Sequence, residues 1–370
     1  MIVMAKKSER IIGFDILRIC SMCGIVGLHI INNGGLIENA NISSISYYVI
    51  LLFLVLFYTS VDIFGLLSGY LNIHKKANKN SRIVELLFIL LFYCLIIPIV
   101  FYVFNIRNIR NVHSAKIIIA NFFPVLVGRY WYFMSYILLF FMIPYINFFC
   151  KIINKKTYKK FLLILFVFFT IIPNFFGMTD FFKILDGYSP FWLVYCYLLG
   201  GYVKLYGINL DIKRIVKDIF VLLLIEFTIN VIIRNISFLI FNVIVKGEWF
   251  INYVSPFTLM ISMLLLLLFK NINTKSLKVV KLIIYLSSMS FSVYIIHCHK
   301  MIFDYILKDL FVPVLNYSFV VVFIIIIVSI VIIYLLCCFI DEFRKLIFKV
   351  LGVDKLINRI GKKLDVLLSL

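Results

Sequence analysis

The amino-acid sequence predicts an all-α integral membrane protein, a bundle of about ten transmembrane helices with both termini in the cytoplasm. Hydrophobic residues make up 64% of the 370 residues and charged residues only 15%, whereas soluble proteins have about 45–50% and about 25%. The mean hydropathy of +1.09 indicates apolar surface that only lipid can cover. The apolar residues also form runs of about 20, the length that a helix needs to cross a bilayer.

Ten such runs are the predicted spans. In chain order they are 11–31, 45–72, 83–104, 129–150, 161–178, 189–206, 218–243, 251–269, 282–300 and 314–340. The segment 282–300 is the least apolar, because it holds several serines and two histidines. The run 319–336 does not alternate between apolar and polar residues, as the strands of an outer-membrane barrel would. The spans are therefore predicted to be helices.

The distribution of Lys and Arg predicts the orientation of the bundle. With the N-terminus inside, 27 of the 37 Lys and Arg residues fall on the cytoplasmic side of the ten predicted spans and seven on the opposite side. Cytoplasmic loops of membrane proteins carry such an excess of positive charge. Topology thus accounts for the net charge of +20, and nucleic acid is not an expected partner.

Two regions are expected along the chain. Residues 1–340 form a multi-span membrane domain, and residues 341–370 form a basic amphipathic helix that lies on the inner membrane surface. The eight cysteines lie almost entirely within predicted spans and lack the clustering of a metal site. They are expected to be buried apolar thiols, and no bound metal is expected.

The first predicted span carries three ionisable residues on one face. Asp15 and Arg18 are three residues apart, and His29 follows Arg18 by eleven, about three helical turns and a rise of about 16–17 Å. Ionisable groups inside a membrane are costly and mark either a functional site or a paired structural contact. Two interpretations therefore remain open. The residues either form a functional stripe through the membrane, or they anchor the helix at its two interfaces.

The segment FDILRICSMCGIVGLHI resembles the opening helix of the acyltransferase 3 family of membrane acyltransferases. That helix has an Arg, an Asp-x-x-Leu-Arg-like run, and a His eleven residues after the second Arg. The matching positions are Arg10, Asp15, Leu17, Arg18 and His29. A second family signature resembles SVDIFGLLSGYL in span 2. Its matching positions are Asp62, Phe64, Ser68, Gly69, Tyr70 and Leu71.

Three weaker similarities follow in the family's order. They involve Trp131 and Phe133 in span 4, then Gly200, Gly201 and Tyr202, and then Ser290, Ser292, Tyr294 and His297. One departure is that a histidine often precedes the family's Trp-Phe pair, whereas Arg129 and Tyr130 stand here. The resemblance extends over nearly the whole chain, and ten spans with a cytoplasmic N-terminus is the family's usual layout.

The resemblance implies an O-acyltransferase of the plasma membrane, with residues 1–340 as its acyltransferase domain. The donor would be acetyl-CoA or another acyl-CoA, and the acceptor a carbohydrate or related molecule of the cell envelope. Capsular polysaccharide, teichoic acid, lipid-linked sugar and exopolysaccharide all fit as acceptors, and the sequence leaves the oligomeric state open. No metal is implied.

Site roles follow from the resemblance and from the chemistry of each side chain. His29 would be the general base or a transient acyl carrier, because histidine titrates near neutrality. Arg18 would bind phosphate or polarise the thioester carbonyl, and Asp15 would orient it. His297 is a second catalytic candidate, and it also suits a polar residue at the outer end of its helix. The predicted donor-binding residues are Arg10, Arg18, Ser68 and Gly69, and the predicted acceptor-binding residues are Trp131, Tyr132 and Asp62.

Several of these residues have structural alternatives. Ser68 and Gly69 also suit close helix packing, Trp131 and Tyr132 also suit an aromatic belt at the membrane interface, and Asp62 also suits an internal ion pair. At the level of the whole chain, the rival function is a transporter or flippase of an envelope polysaccharide or lipid-linked sugar. Transporters often contain paired repeats, and none is recognisable here. A third alternative is a structural or sensory protein. Binding or hydrolysis of acetyl-CoA distinguishes the enzyme from both.

Overall fold

In a computed structural model of the chain, residues 10–76, 79–111, 114–176, 183–241 and 250–367 are described. Helices make up the fold over these ranges, and no β-strand occurs in them. Several predictions extend beyond the described ranges. Residues 1–9 of the membrane domain, the ends of two predicted spans (177–178 and 242–243) and residues 368–370 of the tail lie outside the described residues.

Twelve helices are labelled here in chain order. They are α1 Ile12–Ile31, α2 Ile45–Asn72, α3 Asn80–Val103, α4 Trp131–Ile152, α5 Lys155–Phe166, α6 Pro190–Tyr206, α7 Ile212–Phe241, α8 Pro256–Lys270, α9 Leu277–Ser288, α10 Ser290–His297, α11 Phe319–Val350 and α12 Val353–Leu367. Short helical segments occur in the connections. They are Leu36–Asn39, Ile106–Asn111, Ala115–Phe122, Pro124–Val127, Val167–Ile171, Ile172–Phe176, Leu185–Gly187, Lys300–Ile302, Phe303–Leu307 and Val312–Asn316.

Seven helical stretches of the described chain are long and apolar enough to cross a membrane. They are Ile12–Asn39, Ile45–Asn72, Asn80–Val103, Trp131–Ile152, Lys155–Phe176, Leu277–His297 and Phe319–Val350. The other three predicted spans coincide with α6, α7 and α8. Of these, α6 and α8 have only 17 and 15 residues, and α7 carries the buried Glu226 and Arg234. An all-helical, multi-pass membrane protein is therefore confirmed, whereas the count of ten spans stays a prediction.

Glycines allow the central helices to approach closely. A Cβ atom on Gly69 of α2 would lie 1.9 Å from the carbonyl oxygen of Tyr197 on α6, and one on Gly200 of α6 would lie 1.9 Å from that of Leu66 on α2. Neither position has room for a side chain. Small residues at such positions let transmembrane helices pack backbone to backbone, with dispersion contacts as the main stabilising term. The α2–α6 pair is thus fixed by glycine on both sides.

The predicted span 282–300 is not one continuous helix. It is divided at Met289 into α9 and α10. Ser288 contributes to the break, because its hydroxyl donates to the carbonyl oxygen of Tyr285 at 2.7 Å, and such side-chain bonds compete with the helical backbone. The bend matters for the site, because Ser287 before it and His297 after it contact different residues of α1.

The C-terminal region begins within a continuous helix. α11 runs through the predicted boundary at residue 340 as far as Val350. α12 then packs against the start of α3, where the carboxylate of Asp365 accepts hydrogen bonds from the backbone and side chain of Asn80 at 3.0 and 2.8 Å. Gly361 faces Ser81 at the same contact. A tail helix after residue 340 is thus present, and its position at a membrane surface stays a prediction.

Candidate active site

A cavity of about 460 Å³ lies inside the bundle. One end of its wall is basic, and the other end is built from a histidine and aromatic rings. The basic residues are Arg10, Arg18, Lys75 and Arg82, and the residues of the other end include His29, Trp131, Tyr132, Tyr253 and Tyr294. Arg18 and His29 both line this cavity, so the shared face predicted for α1 is the face that borders an internal space.

Asp15 holds the two arginines of the basic end. Arg10 donates to its two carboxylate oxygens at 2.7 and 2.9 Å, Arg18 donates to Oδ1 at 2.9 Å, and the Ser287 hydroxyl donates to Oδ1 at 3.0 Å. Asp15 itself is only 1% exposed, and it does not line the cavity. Its hydrogen bond to Arg10 raises the pKa of that arginine above its ordinary value. Asp15 therefore positions the guanidinium groups without meeting a ligand in the cavity.

The basic end has an excess of positive charge. Among the ion pairs of the described residues, its four cations share two carboxylates: Asp15 pairs with Arg10 and Arg18, and Glu85 accepts from Arg82 at 2.8 Å. Burial, together with the charge of nearby Lys79, lowers the pKa of Lys75. A partly desolvated ammonium group gains more from an anionic ligand than one that water already solvates. This end of the cavity is therefore suited to an anion such as a phosphate.

At the other end, two histidines from distant parts of the chain meet. Nδ1 of His29 lies 3.0 Å from Nε2 of His297, and Nδ1 of His297 lies 2.5 Å from the carbonyl oxygen of Val293. Because a carbonyl oxygen only accepts, Nδ1 of His297 carries the proton and Nε2 of a neutral His297 is an acceptor. His29 then donates from Nδ1, and its Nε2 keeps a free lone pair.

A layer of charged and aromatic groups surrounds the histidine pair. The ring of Phe303 packs edge-on against His29, with the two ring centroids 5.1 Å apart. The guanidinium carbon of Arg129 lies over the Phe303 ring, 4.3 Å from its centroid. Arg129 also donates to Asp304 at 2.7 Å, and Lys300 donates to the other oxygen of Asp304 at 2.5 Å. Arg129 replaces the histidine expected near this position of the family pattern, and it is held here by an ion pair and by cation–π contact.

Aromatic rings form the wall beside His29. The Trp131 ring lies 4.7 Å from that of Tyr188 and 5.9 Å from that of Tyr253, and the rings of Tyr132 and Tyr294 lie 6.4 Å apart. α10 is held in place next to this wall, because the Tyr130 hydroxyl donates to the carbonyl oxygen of Ile295 at 2.8 Å. The faces of such rings pack against the apolar faces of sugars, while the hydroxyl groups of tyrosine supply hydrogen bonds.

Three other predicted site residues do not line the cavity. Asp62 is buried and accepts a hydrogen bond from the indole of Trp192 at 2.8 Å, which joins α2 to α6. Gly69 faces Tyr197 in the same helix contact. His297 lies behind His29. The predicted residues that do line the cavity are Arg10, Arg18, His29, Ser68, Trp131 and Tyr132.

The structure adds residues that sequence reasoning did not assign to a site. Lys75 and Arg82 both line the cavity, and the signal in the sequence that could have indicated them is their position beside spans 2 and 3, on the same predicted side of the membrane as Arg18. Cys298 lies next to His297 in sequence, and its Sγ atom is 3.4 Å from His297 Nε2 and 3.6 Å from His29 Nδ1. Nothing in the sequence indicates the contact with His29, which joins residues 269 positions apart.

Fold and site together define a multi-pass membrane protein with an internal cavity that links a cationic end to an imidazole. The chain matches the model of the acyltransferase 3 family, described as an acyltransferase domain, over residues 11–338. It therefore belongs to that family, and the resemblance stated from the sequence motifs is confirmed. A search of curated proteins and a search of solved structures gave no significant match.

Proposed function

We propose that the protein transfers an acyl group, acetyl in the simplest case, from coenzyme A to a hydroxyl group of a cell-envelope carbohydrate. The observation that carries this proposal is that one and the same cavity is lined by the cations around Arg18 and by the ring of His29. Membership of an acyltransferase family supplies the reaction class. The protein would work in the plasma membrane, with ten spans and both termini cytoplasmic.

The basic end of the cavity suits the nucleotide part of the donor. Coenzyme A carries several phosphate groups on a nucleotide and a long flexible arm that ends in the thiol. Arg18 and Arg10 offer planar donor groups to phosphate oxygens, and Lys75 offers a point charge. The rise of about 16–17 Å from Arg18 to His29 along α1 gives the arm a path to the histidine. Ser68 also lines the cavity, near the basic end, because the neighbouring Tyr70 packs against Phe14 of α1; its hydroxyl is a further hydrogen-bonding group for the donor.

His29 is the proposed general base. Its Nε2 lone pair takes the proton of the acceptor hydroxyl as the oxygen attacks the thioester carbonyl, the C–S bond breaks, and coenzyme A leaves as a thiolate that takes up a proton. His297 acts through His29, because it accepts the Nδ1 proton and fixes the tautomer. The same Nε2 atom would be the nucleophile if His29 carried the acyl group transiently. Asp15 is a positioning residue for Arg18.

The aromatic wall suits the acceptor. Trp131 and Tyr132 border the cavity on the side of His29, so a sugar stacked on them presents a hydroxyl group near the imidazole. Asp62 supports this wall at a distance, through its bond to Trp192 on α6. The acceptor class that this wall suits is a carbohydrate with an apolar ring face and a free hydroxyl group.

Purified full-length protein tests the donor half of the proposal. Release of the coenzyme A thiol from acetyl-CoA is measured with and without an envelope extract. We expect His29→Ala to lower the rate by about 10²–10⁴-fold, the range of general-base catalysis. His74→Ala is the matched control, since His74 is exposed and does not line the cavity. A wild-type protein that neither binds nor hydrolyses acetyl-CoA contradicts the proposal and favours a transporter.

Envelope analysis and labelling test the acceptor and the topology. Mass spectrometry of envelope carbohydrates from cells with and without the protein identifies the O-acetylated acceptor. For the topology, single cysteines replace the exposed residues Asn41 and Lys156 in a cysteine-free background. An impermeant thiol reagent added to intact cells should label Asn41→Cys and leave Lys156→Cys unlabelled. The reverse pattern would place the N-terminus outside.

A further inference from the structure

A second chemical property of the histidine end comes from a thiol that the proposed reaction does not use. Nδ1 of His29, Nε2 of His297 and Sγ of Cys298 form a triangle with sides of 3.0, 3.4 and 3.6 Å. The three residues come from α1 and from the end of α10. Each presents one ligand atom, and all three atoms lie within 4.8 Å of one another.

The triangle has nearly the dimensions of one face of a tetrahedral zinc site. Zinc binds histidine nitrogen at about 2.0–2.1 Å and cysteine sulfur at about 2.3 Å. With tetrahedral angles, these bond lengths give a separation of about 3.3 Å between two nitrogens and about 3.6 Å between nitrogen and sulfur. The N–N side of the triangle is 3.0 Å and the N–S sides are 3.4 and 3.6 Å. The N–N distance would therefore widen by about 0.3 Å and the shorter N–S distance by about 0.2 Å on binding of an ion.

The surroundings of His297 fit a metal ligand. Its Nδ1 donates to the carbonyl oxygen of Val293, and metal-binding histidines generally donate their second ring nitrogen in this way, which orients the ring and fixes the tautomer. The lone pair of Nε2 is thereby kept free of a proton, on the side of the ring that faces His29. Two imidazoles and one thiolate are a donor set for zinc and not for magnesium or calcium, which prefer oxygen.

We propose that His29, His297 and Cys298 bind a divalent transition-metal ion of the zinc class, and that this ion inhibits the protein reversibly. On binding, the Cys298 thiol loses its proton to solvent, and the Nδ1 proton of His29 moves to Nε2. The base of the proposed reaction then has no free lone pair. The inhibitory step rests on the proposed function, whereas binding of the ion does not.

Neighbouring charges support reversible occupation over a permanent cofactor. Arg129 and Lys300 both pair with Asp304, so the group next to the triangle keeps one excess positive charge. A nearby cation weakens the binding of a metal ion through Coulomb repulsion. Three protein ligands also leave the fourth position to water, as in exchangeable or catalytic sites and unlike closed structural sites. A chelator should therefore remove the ion from the folded protein.

Cobalt binding tests the site without any measurement of activity. Purified full-length protein is titrated with Co²⁺ in detergent, and the thiolate-to-cobalt charge-transfer band and the visible bands of a tetrahedral ion are recorded. We expect one ion per chain in the wild type, displaced by Zn²⁺, and loss of the charge-transfer band in Cys298→Ser. His297→Gln should also lose tight binding. Cys337→Ser is the control, because Cys337 is a buried cysteine outside the triangle.

Acetyl-CoA turnover tests the consequence. For each variant, the rate of acetyl-CoA turnover in excess Zn²⁺ is divided by the rate of the same variant in chelator. We expect Zn²⁺ to inhibit the wild type and Cys337→Ser, and at least about tenfold more Zn²⁺ to be needed for the same fractional inhibition of Cys298→Ser. Absence of a stoichiometric thiolate–cobalt band, or equal zinc sensitivity in Cys298→Ser, would overturn the inference. A wild type that binds cobalt but never turns over acetyl-CoA instead contradicts the proposed function and leaves the metal site standing.

Discussion

α1 and α11 each carry a buried aspartate followed three residues later by an arginine, and the two pairs are bonded differently. In α11, Arg344 donates twice to Asp341, at 2.6 and 3.0 Å, and the Tyr93 hydroxyl donates to the same carboxylate at 2.8 Å. The Arg344 side chain is 8% exposed. In α1, Arg18 donates to Asp15 through one nitrogen only, and its side chain is 31% exposed.

The difference lies in how the carboxylate is shared. Asp341 satisfies its arginine with both oxygens, so this pair is closed and joins α11 to α3 through Tyr93. Asp15 instead gives both oxygens to Arg10 and one of them to Arg18 as well, and Arg18 borders the cavity. The N–H groups of Arg18 that do not donate to Asp15 are available to a ligand in the cavity. Identical spacing in the sequence thus gives a closed ion pair in one helix and, in the other, an arginine that borders a cavity, where we propose that it binds the donor.

The largest effect expected from this comparison is on stability, in α11. Arg344→Ala leaves the buried Asp341 carboxylate with Tyr93 and without its cation, which should cost about 3–5 kcal/mol of folding free energy. The variant should be scarce in membranes and should unfold at a lower temperature in detergent. Arg214→Ala, at an exposed position, is the control and should behave as wild type. Normal abundance and thermal stability in Arg344→Ala would show that the closed pair is not structural.

The reciprocal change in α1 should affect activity and not stability. Arg18→Ala removes a cavity-lining cation and leaves Asp15 paired with Arg10, so abundance should stay near normal while acyl transfer falls by about 10²–10³-fold, as for the loss of one transition-state donor. Arg18→Lys should also fail, because a point charge does not reproduce a planar two-donor group. Initial rates and thermal unfolding are measured on the same preparations. If Arg18→Lys kept the parental rate, the guanidinium geometry would be irrelevant.

A smaller effect is expected at His297, which acts through His29. His297→Ala removes the acceptor of the Nδ1 proton and should lower acyl transfer by about tenfold, less than the loss of the base itself. His297→Gln supplies an amide oxygen as an alternative acceptor and should recover part of the rate. The measurement is the dependence of kcat on pH for the three proteins. An unchanged pH profile in His297→Ala would remove His297 from the positioning of the base.

The smallest effect is expected at the rim of the basic end. Arg82 is half-exposed and paired with Glu85, so its contribution to donor binding is that of a surface charge, about 0.2–1 kcal/mol. Arg82→Ala should raise the KM for acetyl-CoA about two- to fivefold with kcat unchanged, and the difference should shrink at high salt. Arg214→Ala serves again as the control. A change in kcat would place Arg82 nearer to the chemistry.

The helical fold and one face of the site were predictable because each depends on local sequence. A run of about 20 apolar residues predicts a transmembrane helix without knowledge of the rest of the fold. The spacing of Arg18 and His29 fixes the angle between their side chains around the axis of any regular helix. That spacing places both residues on one face of α1, and this face borders the cavity. The Ser-Gly signature suited both a site and a helix contact, and each residue has one of these positions. Ser68 borders the cavity, whereas Gly69 lies on another face of α2, against Tyr197.

Contacts between distant segments were not predictable. His29 and His297 are 268 residues apart, and no periodicity within either segment indicates that they meet. The cysteines were expected not to cluster with metal ligands because they lack such residues at metal-site spacing along the chain. Cys298 meets His29 only because α10 packs beside α1. Asp341 and Arg344 were not singled out at all, since they lie past the last predicted span and read as part of a charged tail.

The ion pairing within α1 also bears on how the chain enters the membrane as it is made. Asp15 finds both of its arginines within eight residues, at Arg10 and Arg18, so the carboxylate can be neutralised as soon as the first helix forms. A charged group that is already paired is far less costly to insert than a lone one. His29, by contrast, meets His297 only after another 268 residues have been synthesised. The charged end of the first helix can thus be paired as soon as that helix forms, while the partner of its histidine lies in a segment that is made much later.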